Sequence, residues 1–84
     1  MNEKKLKKLL QEFSENPAGV RFTVLCSVCN LFFGEPRHKS SSHHVYKTPW
    51  VGDPRVNIQN NKGMAKAYQV KQVLKAVTKV KEEE

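Results

Sequence analysis

The chain has 84 residues, 38% of them hydrophobic and 27% charged, with 15 Lys and Arg against eight Asp and Glu. That length holds one small domain, and the composition excludes both a disordered tail and a membrane span, because no run approaches the roughly 18 apolar residues a spanning helix needs. Two cysteines, Cys26 and Cys29, are too few for a secreted disulfide framework, and the Met1–Lys5 start leads into a Leu/Lys pattern without a signal-peptide core. A cytoplasmic protein with no membrane partner is expected.

Leu6, Leu9, Leu10 and Phe13 recur at the spacing of one helix face and predict a helix over about 2–14. Asn16-Pro17-Ala18-Gly19 ends it, since proline cannot continue a helix and glycine favours a turn. Phe22, Leu25, Cys29 and Phe32 repeat the pattern and predict a second helix over 21–33, broken by Gly34-Glu35-Pro36. Residues 35–39 are a candidate first strand. Ser40-Ser41-Ser42 is a polar turn, residues 44–48 read as a strand, and Pro49, Gly52 and Pro54 mark a loop around Trp50. Residues 55–59 alternate as a half-buried strand does, and Asn60-Asn61-Lys62-Gly63 has turn chemistry. Val70, Val73, Leu74 and Val77 predict a last helix over 67–79, with Lys71, Lys75 and Lys79 on its far side. The order predicts an α+β fold: a small antiparallel three-stranded sheet with helices packed on one face, its other face in solvent, preceded by an extra N-terminal helix. Residues 1–20 form that helical extension, 21–80 the core and 81–84 an acidic tip.

The positive charge is concentrated. With the terminal Glu82, Glu83 and Glu84 set aside, 15 basic residues face five acidic ones, a net charge of +10. Between Arg37 and Lys75 lie eight basic residues and one acid, Asp53. Such a field attracts a polyanion, and nucleic acid is the usual one. Cys26 and Cys29 with His38 and His43 or His44 could spell a zinc site, C-x2-C-x8-H-x4-H. The cysteines, however, sit inside an apolar helical run without a glycine-rich knuckle, so burial as small hydrophobes is the expected role and no metal is assigned. The histidines carry more information. Cleavage of RNA needs a group titrating near neutrality to accept the 2′-hydroxyl proton, and cations to hold the phosphate. If the strand is regular, His43 and His44 point to opposite faces and only one can serve a given site.

Ser41-Ser42-His43-His44-Val45-Tyr46-Lys47-Thr48-Pro49 resembles the Gly-Ser-His-hydrophobic-hydrophobic-aromatic-basic-x-Pro segment of HicA-type toxins. The Phe32-Phe33-Gly34 lead-in, the Pro54–Gln59 stretch and Gly63 with Tyr68–Leu74 are similar to the longer subgroup of that family, so the likeness covers about 22–80. One position departs, the glycine before Ser-His being Ser41 here. The resemblance implies a small mRNA interferase of a type II toxin–antitoxin pair, with a fold similar to a double-stranded-RNA-binding domain. It implies mRNA as substrate, a HicB-like antitoxin as partner, no cofactor, and His43 as the single catalytic histidine. Lys39 and Lys47 are the candidate phosphate contacts, with Arg37 and Lys71 as outer support. The alternative is a non-catalytic RNA-binding module that holds A-form RNA through phosphates and 2′-hydroxyls.

Overall fold

The structure, a computed structural model, describes residues 3–40, 42–48 and 55–82; the side chain of His38, together with Ser41, the loop bearing Trp50 and Glu83–Glu84, lies outside the described part. Helix α1 (Glu3–Glu15) and helix α2 (Phe22–Phe33) are linked by one 3-10 turn, Pro17–Gly19. Strands β1 (His38–Lys39), β2 (His43–Lys47), β3 (Arg55–Asn61) and β4 (Met64–Ala65) follow, then helix α3 (Ala67–Glu82). The sheet is antiparallel throughout, in the order β1-β2-β3-β4. This is the α+β fold the patterning predicts, with the three expected strands present and a two-residue fourth added. Among the described residues no helix is long and apolar enough to cross a membrane.

Each helix forms where its apolar stripe has something to cover. Phe13 of α1 is buried while Leu6, Leu9 and Leu10 pack part-exposed against the same core. The Asn16 N–H still donates to the Glu12 carbonyl at 2.9 Å, and Pro17 then stops the ladder. Helix α2 buries Phe22, Leu25, Val28 and Cys29 and ends at Gly34, whose φ of 79° suits a residue without Cβ. Helix α3 contributes Val70, Val73 and Val77. The sheet answers with Tyr46, Val56 and Ile58, so helices and strands share one core. Phe13 and Val20 belong to that same core, so the segment 3–20 packs with the rest.

Burial alternates along β2 and β3. His44 and Tyr46 face the helices with Val56 and Ile58, while Lys47, Arg55 and Asn57 are exposed. Period-two alternation over one covered face is what an antiparallel sheet with one solvated side requires. Strand β3 outruns the predicted 55–59 by two residues. Its turn into β4 is only Lys62-Gly63, with φ of 53° and 89°, the left-handed pair of a tight hairpin. The Asn60 side chain holds that turn by accepting the Gly63 N–H at 2.6 Å. Strand β4 in turn meets the segment before α2: Ala65 N–H donates to the Val20 carbonyl at 2.8 Å and Phe22 N–H to the Gly63 carbonyl at 3.0 Å.

Where α3 begins, the ladder beyond β3 changes hands. Lys66 turns its carbonyl to the Gln69 and Val70 N–H groups, and the buried Gln69 side chain takes over as acceptor for the Gln59 N–H at 2.7 Å. Replacing Gln69 with Leu leaves that N–H without a partner, which is expected to cost about 1–3 kcal/mol. A urea titration of Gln69→Leu against wild type measures it; an unchanged midpoint would show that water satisfies the group.

Candidate functional site

His43 is the first residue of β2, directly after the turn from β1. Its carbonyl accepts the Ser40 N–H at 2.9 Å and the Ser40 hydroxyl at 3.2 Å, and the neighbouring Ser42 carbonyl accepts the Asn60 N–H at 2.8 Å. The backbone at His43 is thus held from both flanking strands. The pleat directs its half-exposed side chain to the face away from the helices, on the side of Val45 and Lys47, with Gln59 directly opposite on β3.

His44 takes the opposite direction, as the alternation predicts. It is 8% exposed, its Nδ1 lies 3.4 Å from the Cys26 sulfur and 3.3 Å from the Tyr46 hydroxyl, and its ring meets Phe22 edge-on at 5.1 Å. Burial holds its pKa below the usual imidazole value, with the Lys39 charge acting the same way; a hydrogen bond to the Ser40 backbone opposes them only in part. The Cys26 thiol and Tyr46 phenol are both pushed up, chiefly by burial. Thiol, imidazole and phenol therefore sit together in their neutral forms, a hydrogen-bonded plug that ties the strand bearing His43 to α2. Cys29 is fully buried and acts as a hydrophobe, whereas Cys26 is part-exposed and hydrogen-bonded. Among the described residues no three His, Cys, Asp or Glu side chains gather where a metal could sit.

The plug gives stability a pH dependence. Above about pH 6.5 the His44 imidazole is neutral folded or unfolded, and nothing is lost. As pH falls below that value the unfolded chain takes up a proton that the folded chain resists, so stability declines until the lower folded pKa is passed. Urea midpoints at pH 7.5 and 5.5 should fall more for wild type than for His44→Phe. Equal falls would place the titration elsewhere.

The predicted cations are dispersed around His43. Lys47 shares its face but stands four residues along β2. Lys39 is paired with His44 across β1 and β2, one pleat step away from His43, and its charge reaches the buried plug. Arg37 lies just before β1, its N–H donating to the Val45 carbonyl at 2.8 Å. Lys71 is exposed on α3 and so belongs to the helix layer, not to the solvated sheet face. The register also adds two residues that the sequence reading did not select. Gln59 faces His43, and Arg55 faces Lys47. The alternation of residues 55–59 marks both as outward, but only the pairing shows what each is opposite. Ser41 lies outside the described residues, as does Trp50.

The chain matches no family model, no curated protein and no solved structure.

Proposed function

We propose that this protein is a metal-independent endoribonuclease of the HicA-like toxin type, acting on mRNA in the cytoplasm and neutralised by a HicB-like antitoxin. The observation that carries the reading is the position of His43. It is the histidine of the Ser-His segment, it leads β2, and the pleat separates it from the structural His44 and turns it toward solvent on the sheet face. The order α2, β1, β2, β3, α3 supports the likeness to a double-stranded-RNA-binding domain, and the +10 charge of residues 1–81 suits a polyanionic substrate.

On this reading the His43 imidazole takes the proton from a ribose 2′-hydroxyl. The 2′-oxygen then forms a bond to the adjacent phosphorus as the bond from phosphorus to the 5′-oxygen breaks. The departing 5′-oxygen takes a proton from water, leaving a 2′,3′-cyclic phosphate and a 5′-hydroxyl end. The attacking oxygen must line up opposite the leaving one, which a flexible single strand permits and a regular duplex opposes. A cationic partner surface of this kind is covered most readily by an acidic protein, which is the chemistry expected of the antitoxin.

The test is incubation of purified protein with single-stranded RNA in excess chelator. Fragments ending in cyclic phosphate support the reading. Intact RNA, bound with a steep salt dependence, would replace it with the non-catalytic binding module.

A further inference from the structure

We infer that Tyr68 is the platform on which the RNA base beside the cut bond stacks, an inference that rests on the proposed reading of His43. Tyr68 stands in the first turn of α3 and is 55% exposed. With Leu31 of α2 it makes up the large hydrophobic side chains left in water among the described residues, and it is the aromatic one. Its tip is nevertheless held. The Gln69 Nε2 donates to the Tyr68 hydroxyl at 3.4 Å and to the Gln59 Oε1 at 3.4 Å, while the Gln69 Oε1 accepts the Gln59 N–H at 2.7 Å. Gln69 is itself 3% exposed, so a buried amide fixes the end of an exposed ring.

The same amide sets where the ring stands. Two oxygens reached by one nitrogen lie within twice 3.4 Å of each other, so the Tyr68 hydroxyl is close to the Gln59 side chain. Gln59 is the Cα partner of His43 across β2 and β3. The aromatic is therefore one side chain away from the row that carries the proposed base. Every nucleobase has a π-face, so a tyrosine takes any of them, and unstacked single-stranded RNA presents its bases freely. A ring already held in place also spares part of the ordering cost of binding. Lys71 and Lys75 follow Tyr68 at i+3 and i+7 on one face of α3, and both are exposed. Lys75 and Gln72 line a groove whose other wall includes Asn57 of β3, which keeps this cationic stripe alongside the sheet edge. A strand whose base rests on Tyr68 thus has lysines along its path for the phosphates.

The test is binding of single-stranded oligoribonucleotides to His43→Ala, which leaves the RNA whole, and to His43→Ala/Tyr68→Ala. Wild type first locates the cut bond, and an abasic nucleotide is then placed at each position of the same oligomer in turn. The platform predicts that adding Tyr68→Ala weakens binding about tenfold with an unchanged salt slope, since a stacked ring releases no counterions. Tyr68→Phe keeps the ring and should stay within about twofold. Loss of the base next to the cut bond should harm His43→Ala but do no further harm once the Tyr68 ring is gone. Additive effects at every position, coupling only at a base remote from the cut, or a Phe variant as weak as the Ala variant would each overturn the platform. So would RNA binding untouched by Tyr68→Ala while an acidic antitoxin no longer binds, which would make the ring a protein contact. Where wild type cuts no RNA, the reading of His43 falls by itself. Coupling at a single base then still upholds the platform, and additivity still removes it.

Discussion

His43→Ala should lose about 10²- to 10⁴-fold in RNA cleavage and should no longer arrest growth, because on the proposed reading its imidazole is the general base and a positioned base contributes on that order. The side chain is half-exposed and faces away from the helices, and the strand is held there through its backbone, so the variant should keep the wild-type circular dichroism spectrum. His44→Phe makes the contrast. It removes the imidazole next to His43 in sequence but on the buried side, and should change stability while leaving cleavage within a few-fold. If His43→Ala cleaves at the wild-type rate, the assignment of the base fails. If both variants lose activity together, the effect runs through the strand and not through one imidazole.

The second large effect is expected at Tyr46. It is the largest fully buried side chain among the described residues, packed near the Phe33 ring at 6.4 Å and hydrogen-bonded to His44. Tyr46→Ala should cost about 3–5 kcal/mol, because an aromatic core truncation loses its burial and leaves a cavity. A domain of this size has a total stability on the order of 5–15 kcal/mol, so the variant should be largely unfolded when warmed. Tyr46→Phe isolates the hydroxyl and should cost only about 0.5–1.5 kcal/mol. Chemical denaturation of the two variants checks both values. A mild Tyr46→Ala would mean that the core collapses around the gap. Since Tyr46 lies in the same segment as His43, activity lost in Tyr46→Ala but kept in Tyr46→Phe is a folding defect.

Much of this architecture was legible because hydrophobic spacing alone decides it. The stripes of Leu6–Phe13, Phe22–Phe32 and Val70–Val77 recur at helical spacing, and all three formed helices, the second despite β-branched and aromatic residues that also suit a strand, with α3 running three residues past the predicted end. The alternation of residues 55–59 likewise gave β3 its inward Val56 and Ile58. Strand β4 was hidden because Met64 and Ala65 have no strand preference of their own and are recruited by Val20 and Phe22 from far along the chain. The side on which Lys39 falls was hidden for another reason. It depends on the length of the turn between β1 and β2, and a register shift of one residue would move it to the other face. Arg55 opposite Lys47 is a fact of pairing and has no signature in either segment alone. The Cys26–His44 contact joins a helix to a strand 18 residues on; the sequence groups the two only as candidate zinc ligands, and their hydrogen bond depends on how α2 packs on the sheet.

The bridge between Arg21 and Met64 bears on how the molecule comes into being. It closes a span of 43 residues, and a contact of that range returns nothing until the intervening chain has been ordered. On a ribosome the segment around Val20 waits, its N–H and C=O groups hydrated, until Ala65 has been synthesised and released from the exit tunnel. Helix α1 can therefore begin to coil early, but the β4 edge that pairs with Val20 and Phe22 cannot be sealed before Ala65 has emerged. Until that span closes, the backbone groups of Val20 and Phe22 that pair with Gly63 and Ala65 remain in water.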